Sequence, residues 1–310
     1  MPLCTGLSAF PLTPLADDQI DEAAFVGLVQ RLATAGVDSI TVLGSTGSYA
    51  YLSASERDRI AQLAVEHAGP TPVFVGVGAL RTSQVLAHVD SAQRAGAAGL
   101  LLAPMTYQPL TDDDVYELFR TVTQHTALPA IVYDNPGTTH FTFSTELYAR
   151  IAELPGIASL KIPAVPADPA TAREHVARIR AIISDHVTIG ISGDASAANG
   201  LRAGCDAWYS VIGGTLPQPA LAITQAMQEH RYDDALQASQ YLAPLWDLFA
   251  EFGSLRVTAA IAEHLGLVPF QSLPLPIQGL STSQRARVAE VVEALQLTEW
   301  NSVVTMHLAP

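Results

Sequence analysis

Lys161 is the only lysine among the 310 residues, so fifteen of the 16 basic side chains are arginines. Cysteine is also scarce. Cys4 and Cys205 stand far apart, which excludes a disulfide framework and a cysteine-based zinc motif and favours a reducing compartment. Basic residues are outnumbered as well, since 16 of them against 30 acidic residues give a formal charge of −14. No stretch concentrates arginines, so nucleic acid is not expected as a partner.

Long hydrophobic runs are missing too. The longest apolar patch, AGAAGLLLAP, is far shorter than the roughly 20 residues that span a bilayer. The start, MPLCTGLSAFPLTP, has neither the basic nor the apolar segment of a signal peptide. We therefore expect a cytoplasmic protein without a membrane segment. With 49% hydrophobic and 15% charged residues, the chain can bury a sizeable core and is globular.

Eight short apolar runs recur along the first two thirds of the chain: LSAF, SITVLG, PVFVGVG, GLLLAP, PAIVYDNP, IASLKIP, VTIGIS and AWYSV. Stretches with helical spacing separate most of them, and some of these end at a glycine suited to a left-handed C-cap. Alternating strands and helices predict a parallel sheet, and eight such units predict a (β/α)₈ barrel. An open doubly wound sheet is the alternative, but its glycine fingerprint is absent after the first strand, where only Gly6 occurs.

Strand signals stop at Pro217. Four segments beyond it have the spacing of amphipathic helices: QPALAITQAMQEH, YDDALQASQYLAPLWDLFAEF, SLRVTAAIAEHLGL and STSQRARVAEVVEALQ. The sequence therefore predicts an α/β TIM barrel over residues 1–216 and a helical C-terminal domain over residues 217–310.

Lys161 lies on the sixth predicted strand, between Leu160 and Ile162. If these two neighbours face the helices, alternation turns Lys161 toward the barrel interior. A lysine buried there is either paired with a carboxylate or kept neutral for reaction. Unlike arginine, it can lose its proton and attack a carbonyl carbon. The other interpretations are a structural ion pair, or chance survival of one lysine in an arginine-rich coding bias.

Two other strand ends carry polar groups, and in a barrel such ends meet at the active face. Ser45 and Thr46 lie in the turn GSTGS, whose glycines let a ligand approach donors that can hold a carboxylate. Tyr133 lies in YDNPG, where a phenol can shuttle protons. An ordinary polar turn and a core aromatic residue are the alternatives.

GSTG, YDNPG, GIASLKIP and SGD, in this order and at these separations, resemble the dihydrodipicolinate synthase and N-acetylneuraminate lyase family over nearly the whole chain. The resemblance implies a (β/α)₈ barrel with a helical C-terminal domain, usually a homotetramer. It also implies a Schiff base between the strand-six lysine and a 2-oxo acid, usually pyruvate. We accordingly expect a homo-oligomer, either a dimer or a tetramer, that acts on a small 2-oxo acid without a cofactor or metal.

Carried over position by position, the resemblance makes Lys161 the nucleophile that forms the imine and Tyr133 the proton relay. Ser45 and Thr46 would hold the carboxylate of the 2-oxo acid and join the relay. Gly193, in SGDASA, would border the pocket.

The sequence also departs from the family pattern. Thr138 occupies the position where the synthases usually have an arginine that grips the carboxylate of the second substrate. Ser48 replaces a glutamate, and Met105 and Thr106 replace a pair of tyrosines. Tyr107, one place later, is a candidate for the relay tyrosine that a neighbouring subunit contributes.

Tyr209 corresponds to a position that is usually aliphatic and whose carbonyl faces the site. Its bulk would reshape the pocket, and a core or interface tyrosine is the alternative.

Together these features predict a class I lyase that makes or breaks a carbon–carbon bond beside a 2-oxo acid, or dehydrates or deaminates a related acid. An authentic dihydrodipicolinate synthase is the alternative within the family, and a non-catalytic barrel that binds a small acid is the alternative outside it. The nine histidines lack the tight spacings of a metal site, which argues against a metal-dependent aldolase. GVGALRTS lacks the Gly-Lys-Ser/Thr of a phosphate-binding loop.

Overall fold

A computed structural model describes residues 3–300. Eight parallel strands form a closed barrel in chain order, in which the first strand pairs with both the second and the eighth. The barrel strands are β1 Gly6–Ala9, β2 Ser39–Val42, β3 Val73–Gly76, β4 Gly99–Leu102, β5 Ala130–Tyr133, β6 Ile157–Ile162, β7 Thr188–Ile191 and β8 Ala207–Ser210. The predicted (β/α)₈ fold is confirmed.

Helices connect successive strands, and most of them cover the outside of the barrel. They are α1 Glu22–Ala35, α2 Ala54–His67, α3 Thr82–Ala95, α4 Asp112–His125, the single turn α5 Pro136–Thr139, α6 Thr145–Ala152, α7 Pro169–Arg180, α8 Ala197–Arg202 and α9 Pro217–Gln228. The predicted glycine C-caps close α1 and α3, where Gly36 and Gly96 adopt φ of 76° and 86°. The turn α5 and a small hairpin, Leu15–Ala16 with Gln19–Ile20, were not predicted.

Side chains on the two faces of the strands pack into two different hydrophobic clusters. One large hydrophobic cluster fills the space between strands and helices and includes Leu160 and Ile162. A second, smaller cluster lies inside the barrel and contains Phe10, Tyr133 and Tyr209. Because side chains alternate along a strand, residues next to Leu160 and Ile162 point inward. This alternation brings Lys161 into the barrel interior.

A one-residue shift in register sets which side chain lies opposite Tyr133. Ala130 pairs with Ile157, but Ile131 pairs with Ser159, so β6 gains one residue relative to β5. Without this bulge Tyr133 would lie opposite Leu160, whose side chain faces the helices. With the bulge it pairs with Lys161, and both side chains share the barrel interior.

Four helices follow α9: α10 Tyr232–Tyr241, α11 Ala243–Phe252, α12 Ser254–His264 and α13 Thr282–Ala294. The run YDDALQASQYLAPLWDLFAEF, predicted as one helical segment, forms two helices, because Pro244 cannot donate a backbone hydrogen bond and starts a new helix. A cluster that includes Leu12, Leu28 and Ala259 joins α12 to the barrel.

The helix α9 begins at Pro217 and packs against β1, so it completes the eighth strand–helix unit. The predicted division at residues 216/217 stays a prediction, and residues 301–310 of the predicted C-terminal domain lie outside the described part. Within residues 3–300, no helix is long and apolar enough to cross a bilayer.

Candidate active site

A cavity of about 810 Å³ opens at the carboxyl ends of the strands, between the barrel and helices α11 and α12. Seven of the eight residues predicted for the site line it: Ser45, Thr46, Tyr133, Thr138, Lys161, Gly193 and Tyr209. Tyr107 does not. It lies in the loop after β4, and 87% of its surface is exposed. The sequence motifs, spread over much of the chain, therefore meet at one place.

Lys161 lies at the inner end of this cavity, and only 4% of its surface is exposed. Its Nζ is 4.1 Å from the centre of the Tyr133 ring and 5.5 Å from that of Phe10. Burial lowers the pKa of Lys161, while Tyr133, Asp194 and Asp134 act in the opposite direction. No carboxylate of residues 3–300 forms an ion pair with it, which argues against a structural ion pair. This environment favours the neutral amine, the form that attacks a carbonyl carbon.

Tyr133 connects Lys161 to polar groups at the rim of the barrel. Its Oη lies 2.9 Å from Ser45 Oγ, and either hydroxyl can donate the hydrogen bond. Asn135 Nδ2 donates to the same Oη at 2.8 Å. The phenol is therefore held by two partners beside the amine, in a position from which a proton can move between Lys161 and Ser45.

The turn after β2 carries Ser45 and Thr46 between two glycines that leave little room for side chains. A Cβ on Gly44 would lie 2.8 Å from the Phe10 ring, and one on Gly47 would lie 3.1 Å from the backbone nitrogen of Leu43. The turn is thus packed tightly against the barrel, so its hydroxyls have a fixed position. Among the described residues, the buried Ser48 hydroxyl has no hydrogen-bond partner.

Asp134, which follows Tyr133, is buried behind the site. Its backbone N–H donates to the carbonyl of Lys161 at 3.1 Å, and its carboxylate accepts a hydrogen bond from the Tyr148 hydroxyl. Burial raises the pKa of Asp134 to about 6, against the effects of Tyr148 and Lys161. Asp134 therefore carries a full negative charge only above about this pH.

Asp194 fixes the loop that follows β7. Its carboxylate accepts from Trp208 Nε1 at 3.0 Å and from the backbone N–H groups of Val211 and Ile212 at 3.2 and 2.7 Å. With its oxygens occupied, Asp194 ties this loop to the end of β8. Gly193 immediately before it has φ of 87°, a backbone conformation that L side chains rarely adopt.

The Tyr209 side chain forms the floor of the cavity. It starts from β8, and its hydroxyl donates to Ser159 Oγ on β6 at 2.8 Å, so the ring crosses over β7. Gly190 on β7 makes this crossing possible, because a Cβ there would overlap the ring and lie 2.6 Å from its Cδ2. Tyr209 is 2% exposed, and its ring meets that of Phe10 edge to face at 6.1 Å. It is thus a core side chain whose upper surface lines the cavity.

Several lining residues were missed by sequence reasoning. Phe10 and Asn135 come from strand ends, and Trp246 and Phe249 come from α11. Asn135 lies within the YDNPG motif, two residues after Tyr133, so its position was a usable signal. The aromatic pair on α11 has helical spacing, but nothing local shows which neighbour that helix face covers.

Comparison with known proteins agrees with this geometry. The model of the dihydrodipicolinate synthetase family matches residues 3–295. The chain belongs to this family. A solved dihydrodipicolinate synthase from Agrobacterium tumefaciens superposes with a TM-score of 0.91 at 44% identity, covering 94% of this chain and 98% of that one.

Two further relatives of this dihydrodipicolinate synthetase family member carry different names. A 4-hydroxy-tetrahydrodipicolinate synthase from Thiobacillus denitrificans is 32% identical over 287 residues, which are 91% of this chain and 93% of the relative. An uncharacterised DapA-like lyase from Halobacterium salinarum is 28% identical over 276 residues, 87% of each chain. The predictions of the family and of a class I lyase of the pyruvate-dependent aldolase type are confirmed.

Proposed function

We propose that Lys161 forms an imine with pyruvate, or with a closely related 2-oxo acid, in the cavity described above. The observation that carries this proposal is the environment of the chain's only lysine: it is buried in the barrel interior and has no carboxylate partner among residues 3–300. Arginine cannot replace it, because a guanidinium stays protonated. The bound acid then undergoes carbon–carbon bond formation or cleavage, or dehydration or deamination, beside the imine carbon.

The neutral amine attacks the 2-oxo carbon, and water must then leave from the resulting carbinolamine. Tyr133 is the proton donor for that step in our proposal, since its phenol lies against Lys161 and its proton can be replaced from Ser45. Ser45 and Thr46 hold the carboxylate of the acid. The imine withdraws electrons from the neighbouring carbon, whose proton loss produces the nucleophilic enamine.

Three further predicted residues shape the cavity rather than react. Gly193 allows close approach of the substrate to the loop after β7. Tyr209 closes the bottom of the cavity, and Thr138 borders its outer part. All three roles rest on the position of these residues in the lining.

We also propose a cytoplasmic location, since two distant cysteines favour a reducing compartment, and a homo-oligomer, either a dimer or a tetramer. The support for the oligomer is Tyr107, which is 87% exposed and lies outside the cavity of its own chain, so its ring is available to a second copy. In such an assembly Tyr107 would extend the proton relay of the neighbouring site.

Borohydride reduction in the presence of pyruvate tests the imine. We expect the protein to gain the mass of one reduced pyruvate adduct, and peptide mapping to place it on Lys161. Lys161→Arg keeps the length and charge of the side chain but forms no productive imine, so it should gain no such adduct. Because the chain has no other lysine, the N-terminal amine is the competing site, and an adduct confined to it would contradict the proposal.

The alternative within the family is an authentic 4-hydroxy-tetrahydrodipicolinate synthase, which the names of relatives favour. Thr138 argues against this alternative, because a neutral hydroxyl binds a carboxylate less strongly than a bidentate guanidinium does. A kcat/KM with aspartate semialdehyde of roughly 10⁴ M⁻¹s⁻¹ or more would support this alternative.

A further inference from the structure

The cavity is much larger than a three-carbon acid requires. Its volume of about 810 Å³ lies in the range that encloses drug-sized ligands. Pyruvate bound to Lys161 and to the Ser45 turn would occupy the inner end, so the outer end is left for the second reactant. The side chains that line the outer end therefore indicate the chemistry of the second reactant.

Positive charge is nearly absent from the outer end. No arginine occurs among the described residues that line the cavity, and Lys161 belongs to the inner end. Thr138 donates its hydroxyl to the carbonyl of Asn135 at 3.4 Å, so this donor is already engaged. His140 is the one lining histidine, on the exposed loop after β5. A second carboxylate would find no permanent cation here.

The same end is rich in apolar surface. Trp246, Phe249 and Ala250 lie on one face of α11, and Leu255 and Ile277 extend the surface from α12 and the loop beyond it. The rings of Trp246 and Phe249 meet edge to face at 5.6 Å. Trp246 Nε1 donates to the carbonyl of Ser239 at 3.0 Å, so its only polar hydrogen is used within the protein. Placing a carboxylate against this surface would cost hydration without a replacing bond.

We infer that the second reactant is an uncharged aldehyde with an apolar substituent about the size of an aromatic ring, and not an aldehyde with a second carboxylate. This inference rests on the proposed function. The C3 carbon of the pyruvate enamine forms a bond to the aldehyde carbon, and the aldehyde oxygen gains a proton. Water then cleaves the imine, which frees Lys161 and a 4-hydroxy-2-oxo acid. The water lost in imine formation balances the water consumed here, and the reverse sequence cleaves the same acid.

The test compares benzaldehyde with 4-carboxybenzaldehyde, which differ by one carboxylate at the far side of the ring. Each is incubated at pH 8 with pyruvate and the full-length enzyme, and the 4-hydroxy-2-oxo acid is measured by chromatography. We expect kcat/KM to be at least about tenfold higher for benzaldehyde, because the carboxylate would be buried without a partner.

Thr138→Arg places a guanidinium at the rim, and Thr138→Met is the matched control with a long but uncharged side chain. We expect the arginine variant to reduce the preference for benzaldehyde by at least about tenfold, while the methionine variant leaves it within about threefold of the wild type.

The outcomes separate the two proposals. If pyruvate is trapped on Lys161 but 4-carboxybenzaldehyde is preferred, or neither aldehyde reacts, the substrate class is wrong and the imine stands. An unchanged preference in Thr138→Arg also overturns the inference, since the second reactant would then lie elsewhere. If pyruvate is not trapped at all, both proposals fail together.

Discussion

The inner and outer ends of the cavity differ in both the elements that build them and the chemistry they offer. Strand ends and short turns form the inner end, where Tyr133 and Ser45 are hydrogen-bonded beside a buried amine. Helices α11 and α12 supply much of the outer end with side chains that are mostly apolar. The barrel thus holds rigidly the groups that we propose for imine chemistry. We expect substitutions in α11 and α12 to alter the choice of second reactant without disturbing those groups.

Tyr133→Phe should have the largest effect, because it removes the proposed proton carrier from the inner end and leaves the ring packing intact. We expect turnover to fall by about 10² to 10⁴, the usual share of general acid–base catalysis. Pyruvate should still be trapped on Lys161, more slowly, since Ser45 and Thr46 remain. The measurement is kcat with any accepted substrate, together with the rate of trapping.

Asn135→Leu serves as its control. It removes a donor to the phenol but leaves the phenol's own proton, so turnover should fall less than in Tyr133→Phe. Unchanged turnover in Tyr133→Phe would show that the Tyr133 side chain serves only in packing. The proton path would then have to run through Tyr107 or through water.

Gly190→Ala tests how tightly the inner end is packed. The new methyl group would overlap the Tyr209 ring, which is fixed by Ser159, so we expect a loss of about 1–3 kcal/mol in the free energy of unfolding. Gly27→Ala is the matched control, because a Cβ there meets nothing within 4 Å. In the interior of α1 this change should stabilise by roughly 0.5–1 kcal/mol. Urea unfolding measures both.

In a Tyr209→Ile background, Gly190→Ala should cost less than it does in the wild type, because the ring that the methyl group meets is absent. If Gly190→Ala is as stable as the wild type, the floor of the cavity is more adaptable than the contacts indicate, and the two ends do not differ in rigidity.

The charge of Asp134 should alter the pH dependence of imine formation, and we expect this effect to be smaller than those of Tyr133→Phe and Gly190→Ala. Since burial lowers the pKa of Lys161, we expect the rate of trapping to rise with pH through a value below the ordinary 10.5. Asp134 opposes this shift when ionised, so Asp134→Asn should move the profile to lower pH. The two profiles should converge below about pH 6, the pKa to which burial raises Asp134, because its charge is then lost in the wild type.

Asp185→Asn makes the same change of charge at an exposed position before β7, at the opposite end of the barrel from the cavity. Its profile should match that of the wild type. Overlapping profiles of Asp134→Asn and the wild type above pH 6 would mean that the Asp134 charge does not reach Lys161.

Features local in the sequence, such as apolar runs and the residues at helix ends, were enough to predict the barrel and several residues at the inner end of the cavity. Each strand is a short apolar run, and helix ends such as Gly36 and Gly96 are set by backbone conformation, so the barrel follows from the order of the elements. The inward direction of Lys161 follows from alternation alone. The predicted inner site residues meet because parallel strands place their carboxyl ends on one face.

The features that were missed depend on contacts between distant parts of the chain. The bulge that sets Tyr133 opposite Lys161 leaves no mark in composition. The path of the Tyr209 ring depends on the missing side chain of Gly190 on the neighbouring strand. Likewise, Trp246 reaches the cavity only through the packing of α11, and its spacing along the chain is the same as that of an ordinary core residue.

The solitary lysine also makes the protein its own folding reporter. Reagents that acylate primary amines can modify only the chain terminus and Lys161, and Lys161 is 4% exposed in the native structure. An acylating reagent too bulky to enter the cavity therefore reaches Lys161 only after the molecule has unfolded. Acylation of Lys161 by such a reagent, mapped by mass spectrometry, distinguishes folded from unfolded chains without any engineered label.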